Sequence, residues 1–204
     1  MSLLSVIVPC YNEEESVALF YQELTKNDPF FKEKEIELEL LYIDDGSKDG
    51  TVREVKKLIE QDSRVHIVSF SRNFGKEAAI FAGLAQACGD VVAVMDCDLQ
   101  HPPQTLIEMY RLWQEGYEVI EGVKADRGKE GFLHKECAGF FYDIMSKATK
   151  VNMKDASDFK MMDRKAVDSI LSMPERNMFF RATSSWVGYK TTSVEFEVQE
   201  REAG

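Results

Sequence analysis

No stretch of this chain approaches the roughly 18 consecutive apolar residues that a membrane-crossing helix needs. The N-terminus has no basic region followed by an apolar segment, so no secretory signal is expected there. Cysteine is scarce: Cys10, Cys88, Cys97 and Cys137 lie far apart with no C-x-x-C spacing, and few histidines are present to supplement them. That argues against structural zinc and for a reducing compartment. Familiar nucleotide and hydrolase signatures are missing too. There is no G-x-x-x-x-G-K-[ST], no G-x-G-x-x-G after the first apolar run and no G-x-S-x-G, which argues against a P-loop NTPase, a Rossmann dehydrogenase and an α/β-hydrolase. Asp45-x-Ser47-x-Asp49-Gly50 opens like an EF-hand loop, but its twelfth position is Lys56 instead of a bidentate glutamate. No internal repeat or low-complexity stretch is present.

Positive charge is also in short supply, and unevenly so. The formal net charge is −11, with 11 Lys+Arg against 23 Asp+Glu in residues 1–123. Residues 124–150 reverse this, with 6 against 4, and residues 151–204 carry 8 against 9. The acidic first part argues against general nucleic-acid binding. The basic rise after residue 123 permits an edge that faces phosphates or a membrane.

What is present is an alternation of apolar runs and helical stripes. Strands are expected at residues 3–9, Ile36–Ile43, Val65–Phe70, Val91–Met95 and Glu118–Val123. Helices are expected from the acidic cluster Glu13-Glu14-Glu15, from about Thr51, over Gly75–Cys88, and around Leu106, Met109, Tyr110 and Trp113. This pattern predicts a single α/β domain of 204 residues, a mostly parallel sheet with helices on both faces. Beyond it come a charged loop at 124–131 and a helix carrying Leu133, Cys137, Phe140, Phe141, Ile144, Met145 and Ala148 on one side. Such a stripe is usually core, although an interfacial helix lying on a membrane would look the same in sequence. A short strand at Asp158–Met162, a helix at Arg164–Leu171 and a strand at Thr192–Val198 complete the pattern.

Four polar loops follow the first four strands, and in a parallel sheet they converge on one edge. The fourth holds Asp96-Cys97-Asp98, directly behind Val91-Val92-Ala93-Val94-Met95. Two carboxylates so close repel each other unless a cation sits between them. Mg²⁺ is usually held by one or two carboxylates plus substrate phosphates. A helix N-cap cluster before Pro102 is the plain alternative. Glu13 or Asp45 can accept hydrogen bonds from a nucleobase or ribose, and Tyr11 offers a stacking face. Arg72 and Lys76 supply charge for phosphates, with Gly75 allowing close approach at a helix start. Asp44 and Asp49 read as turn formers and caps.

The segments VPCYNEEES, LLYIDDGSKDGT, SRNFGKEAAIFAGL and VVAVMDCDLQHPP, in this order and spacing, resemble the family 2 glycosyltransferases of the GT-A fold. The closest resemblance is to the polyprenyl-phosphate branch, which includes dolichol-phosphate mannose synthases and bactoprenol glucosyltransferases. The Q-x-x-R-W of processive polysaccharide synthases is missing. The resemblance implies a three-layer, Rossmann-like GT-A domain in which residues 1–123 bind a nucleotide sugar and residues 124–204 bind the acceptor. The donor, a UDP- or GDP-hexose, would lie along Pro9, Tyr11, Glu13, Asp45, Arg72, Lys76 and Asp96. Asp96 and Asp98 would hold Mg²⁺ or Mn²⁺, with Asp98 counted as catalytic. The reaction would invert the anomeric centre.

Asp158, in Ser157-Asp158-Phe159-Lys160, stands where the family's catalytic base is usually placed. A lipid phosphate, with a second pKa near ~6, is already largely dianionic at neutral pH and hardly needs one. For a phosphate acceptor Asp158 would orient the site; for a hydroxyl acceptor it would be a true general base. The resemblance offers Lys124, Arg127, Arg181 and Arg201 for the acceptor phosphate. It also implies transmembrane helices after residue 204, so this chain is expected to be the soluble catalytic portion of a protein at the cytoplasmic face of a membrane. A homo-oligomer is compatible with the sequence. The rival readings are a soluble GT-A transferase acting on a hydroxyl and a nucleotide-sugar-binding module without turnover.

Overall fold

The computed structural model describes residues 1–125, 157–174 and 179–198. Arg127, Arg201, nearly all of the 124–131 loop and the aromatic stripe from Leu133 to Ala148 lie outside the described residues. Seven strands form one sheet: β1 (Ser2–Cys10), β2 (Ile36–Asp44), β3 (Val65–Ser69), β4 (Val91–Val94), β5 (Val119–Lys124), β6 (Lys160–Asp163) and β7 (Thr191–Phe196). Their order is β3-β2-β1-β4-β6-β5-β7. The described helices are α1 (Ser16–Thr25), α2 (Asp28–Glu33), α3 (Thr51–Gln61), α4 (Lys76–Gln86), α5 (Thr105–Gln114), α6 (Arg164–Leu171) and α7 (Phe180–Trp186).

β1 is the centre of the parallel part, with Leu4 opposite both Leu38 and Val91. Its side chains alternate between two cores, as the period of a strand requires. Leu4, Val6, Val8 and Cys10 face one core with Val17 and Phe20 of α1, Val55 of α3 and Met109 of α5. Ile7 faces the other with Ile80 and Leu84 of α4, Val167 of α6 and Phe180 of α7. A Cβ at Gly83 would meet Ile7 Cγ2 at 2.4 Å, so glycine lets α4 lie directly on β1.

Three features depart from the sequence expectation. β6 runs antiparallel to both β4 and β5, inserted between them. α1 begins at Ser16, after the acidic triplet. α2 and α7 are additional helices. The chain returns from edge strand β3 to lay β4 against the far side of β1, so the strand order reverses beside β1. Open α/β sheets bind ligands outside the strand ends at such a switch point. Among the described residues, no helix is long and apolar enough to cross a membrane.

Candidate active site

A cleft of about 410 Å³ opens at that point. Pro9, Cys10, Tyr11 and Glu13 line it from the end of β1, and Asp45 from the end of β2. Asn73, Gly75, Lys76 and Ala79 line it from the third loop and α4, and Asp96, Cys97 and Asp98 from the end of β4. The four loops therefore converge.

Side chain-to-backbone hydrogen bonds staple these loops together. Asn12, in the left-handed region at φ 56°, accepts from Lys48 N at 2.9 Å, while its own N–H donates to Ser47 Oγ at 2.9 Å. Glu13 N donates to Thr51 Oγ1 at 2.8 Å. Asp44 accepts from Ser47 N and Ser69 Oγ, and Asp49 from Thr51 N and Oγ1. Both are thus turn formers, as expected. Asp45 is only 4% exposed, and its carboxylate accepts from Phe74 N at 2.7 Å and Gly75 N at 2.9 Å. It holds the third loop in place as well as lining the cleft. Gly46, at φ +71°, brings its backbone against that of Arg72, where a Cβ would sit 2.4 Å from the Arg72 carbonyl carbon. Arg72 does not line the cleft: it is exposed, with its guanidinium carbon 4.1 Å from the Phe74 ring centre.

The cleft continues into a chain of ion pairs. Lys76 Nζ lies 2.7 Å from Asp96 Oδ1 and 2.9 Å from Asp158 Oδ2. Arg181, on α7, grips Asp158 in a bidentate pair, Nε to Oδ1 at 2.7 Å and Nη2 to Oδ2 at 2.8 Å. Burial alone would raise the Asp158 pKa, but Arg181 and Lys76 overcome it and hold the carboxyl at about 2. Lys76 titrates above its ordinary value: burial works against its charge, and Asp96 and Asp158 more than offset that. Asp98 accepts from Gln100 N at 3.0 Å, and the intervening Leu99 is held at φ 62°, a costly conformation for a branched residue.

Three residues near this site carry no role in the sequence reading. His101 is 8% exposed and lies between Phe159 and Phe196, with ring centres 5.0 and 5.1 Å away. Its Nδ1 is 3.9 Å from Asp96 Oδ2 and has no hydrogen-bond partner among the described residues. Burial lowers its pKa, favouring the neutral ring. Glu77 Oε2 accepts from Phe180 N at 2.8 Å, tying α4 to α7. Lys160 is fully buried beneath Arg181. The only signals for these were a histidine three residues past the D-x-D, an acid beside Lys76 and a lysine in an apolar strand.

Comparison with known proteins agrees with this architecture. Residues 5–171 match the family model described as glycosyl transferase family 2. The chain is 42% identical over 201 residues to the uncharacterized glycosyltransferase YkcC of Bacillus subtilis (strain 168), covering 98% of this chain and 61% of that protein. It is 39% identical over 202 residues to the prophage bactoprenol glucosyl transferase homolog of Escherichia coli (strain K12), covering 98% and 65%. The chain thus spans less than two thirds of these relatives. Among solved structures, the mannosyltransferase PcManGT of Pyrobaculum calidifontis, in complex with GDP-Man and Mn²⁺, aligns with a TM-score of 0.66 at 20% identity, over 99% of this chain and 59% of that one. TarS 1-349 of S. aureus in complex with UDP-GlcNAc aligns with a TM-score of 0.64 at 19% identity, over 98% and 60%. The shared fold is GT-A, and the chain belongs to glycosyl transferase family 2.

Proposed function

We propose that this chain is the catalytic portion of an inverting hexosyltransferase that moves a sugar from a nucleoside-diphosphate donor to a polyprenyl phosphate. The observation that carries this reading is the clamping of Asp158 by Arg181 and Lys76, within reach of the D-x-D. A carboxylate with a pKa of about 2 is a poor proton acceptor near neutrality. An acceptor that arrives ionised, such as a lipid phosphate, needs none. The relatives named bactoprenol glucosyl transferases support the same choice.

On this reading residues 1–123 hold the donor and residues 124–204 receive the acceptor. Tyr11, Glu13 and Asp45 contact the nucleoside beside Pro9, and the Gly75–Lys76 helix start faces the phosphates. Asp96 and Asp98 suit a hard cation, Mg²⁺ or Mn²⁺. Among the described residues no group of three or more His, Cys, Asp or Glu side chains converges, so the cation's remaining oxygens would come from the donor's phosphates or water. When bound, the cation would neutralise charge developing on the departing diphosphate. An acceptor phosphate oxygen attacks the anomeric carbon from the face opposite the diphosphate. The new C–O bond forms as the old one breaks, and the electron pair leaves on the nucleoside diphosphate. Lys76 and Arg181 reduce the repulsion between the two anionic reactants, while Asp158 fixes both cations. Arg127 and Arg201 remain proposed partners of the acceptor phosphate. In the full-length protein this would take place at the cytoplasmic face of a membrane.

A transfer assay with Mn²⁺ and a panel of labelled UDP- and GDP-hexoses, comparing polyprenyl phosphate with the matching polyprenol, tests the proposal. Label is expected only in the phosphate-bearing lipid. Transfer to the polyprenol or to a glycan hydroxyl at comparable rates would favour a hydroxyl-directed enzyme, and donor binding with no transfer a binding module.

A further inference from the structure

Little in the sequence of α7 holds that helix in place, yet α7 carries Arg181. It is seven residues long, and no side chain caps its first turn. So short a helix is unstable alone and depends on tertiary anchors. Glu77 provides one by accepting the Phe180 N–H. Phe180, fully buried with its ring 6.4 Å from that of Phe81 on α4, provides a second, and Lys160 adds a third from below, at the turn that carries Arg181. Its Nζ lies 2.7 Å from Ser184 Oγ and 3.3 Å from the Arg181 carbonyl oxygen. It also pairs with Glu121 Oε1 at 2.5 Å, across the β5–β6 ladder. Ser184 Oγ in turn donates to the Phe180 carbonyl at 2.8 Å.

A fully buried lysine is costly in this position. Burial pulls its pKa down and Glu121 only partly restores it. Replacing such a buried pair with apolar side chains of similar volume is often neutral or stabilising. Met162 lies on the same face of β6 as Lys160, and the Phe180 ring centre sits 6.0 Å from the Lys160 Nζ; both are fully buried and apolar, so the core on that face would accept such a change. What the ammonium adds is direction, because its donors point at the turn of backbone from which the Arg181 side chain emerges.

We propose that Lys160, balanced by Glu121, is a positioning residue for sugar transfer: it fixes the α7 turn and so aims the Arg181 guanidinium at Asp158. This rests on the reading of Asp158 and Arg181 as the acceptor end of the site.

The test uses Lys160→Met and the charge-balanced Lys160→Met/Glu121→Leu, which avoids leaving a buried carboxylate unpaired. The Arg181 Nε–H resonance, assigned by its loss in Arg181→Lys, reports the guanidinium pairing directly. In the double variant we expect a cooperative fold, a shifted and rapidly exchanging Arg181 Nε–H, and Phe74 and Gly75 amides unchanged at Asp45. Turnover should fall by roughly 10²-fold, the scale of a misplacement of about 1 Å, while KM for the donor stays within about twofold. An unperturbed Arg181 resonance in the double variant overturns the inference, whatever the turnover. Arg181→Ala separates the two layers. If it loses turnover and the double variant does not, the positioning inference fails alone; if it keeps full turnover, the acceptor-end reading fails and takes the inference with it.

Discussion

The two ends of the cleft are built by different means. On the proposed donor side, four loops emerge side by side from parallel strands and are locked by short side chain-to-backbone hydrogen bonds, as at Asn12, Asp44, Asp45 and Asp49. On the other side Asp158, Lys160 and Arg181 come from the loop before β6, β6 itself and α7, and are held by partly buried ion pairs. The first is a rigid frame of loops that holds cleft-lining side chains such as Tyr11, Glu13 and Asp98 in fixed places, suited to a ligand with many polar edges. The second is a cluster of long charged side chains, suited to bringing two anions together. Lys76 joins them, with one carboxylate from each side on its ammonium.

Breaking the donor end should be the more damaging. Asp98→Ala is expected to abolish transfer, by at least about 10³-fold, and to remove Mn²⁺-dependent donor stabilisation in thermal unfolding. Unchanged turnover would remove Asp98 from the metal site. Asp45→Ala leaves two backbone amides without their acceptor, at about 1–3 kcal/mol. Donor affinity should drop by about tenfold or more, with a lower unfolding midpoint, both readable in one titration calorimetry and melting series.

The proposed acceptor end can be probed by acid. The folded pKa of Asp158 is about 2, below the ~3.9 of an unfolded chain. A depressed pKa stabilises above the unfolded value, and that contribution disappears as pH falls through the folded one. The stability gap between wild type and Asp158→Asn should therefore be level from pH ~8 to ~5 and shrink only below ~4. Denaturant titrations across that range would detect a gap that closes earlier. The smallest effect is expected at Arg72. Because it stacks on Phe74 outside the cleft, Arg72→Ala should change donor affinity by no more than about threefold. A larger loss in a binding titration would mean that the third loop turns this guanidinium inward when the donor arrives.

The same contrast explains what could be read from the sequence. β1 to β5, α3 to α5 and the four loops were legible because each is a local signal: an apolar run, a stripe, a turn cluster. Their convergence then followed from the parallel sheet. The antiparallel insertion of β6 was not, since a four-residue strand such as Lys160–Asp163 carries no local mark of its partner's direction. α2 does carry a local signal, Asp28-Pro29 at a helix start, though the helix is only six residues long. α7 carried none, because Phe-Arg-Ala-Thr-Ser-Ser-Trp forms a helix through contacts far away in sequence: Phe180 in the core beside Phe81, and hydrogen bonds to Glu77 and Lys160. Asp158 and Arg181 were both expected at the site, but their pairing exists only in three dimensions.

On the proposed function, the acceptor brings its own nucleophile and Asp158 orients the site without removing a proton. The most direct test is a pH–rate profile of wild type and Asp158→Asn with polyprenyl phosphate as acceptor. The account predicts an acid limb near pH ~6 in both, belonging to the acceptor's phosphate, and a loss of about 10²-fold or less in the variant. Disappearance of that limb in Asp158→Asn, with a loss of about 10⁴-fold, would make Asp158 a general base and contradict it.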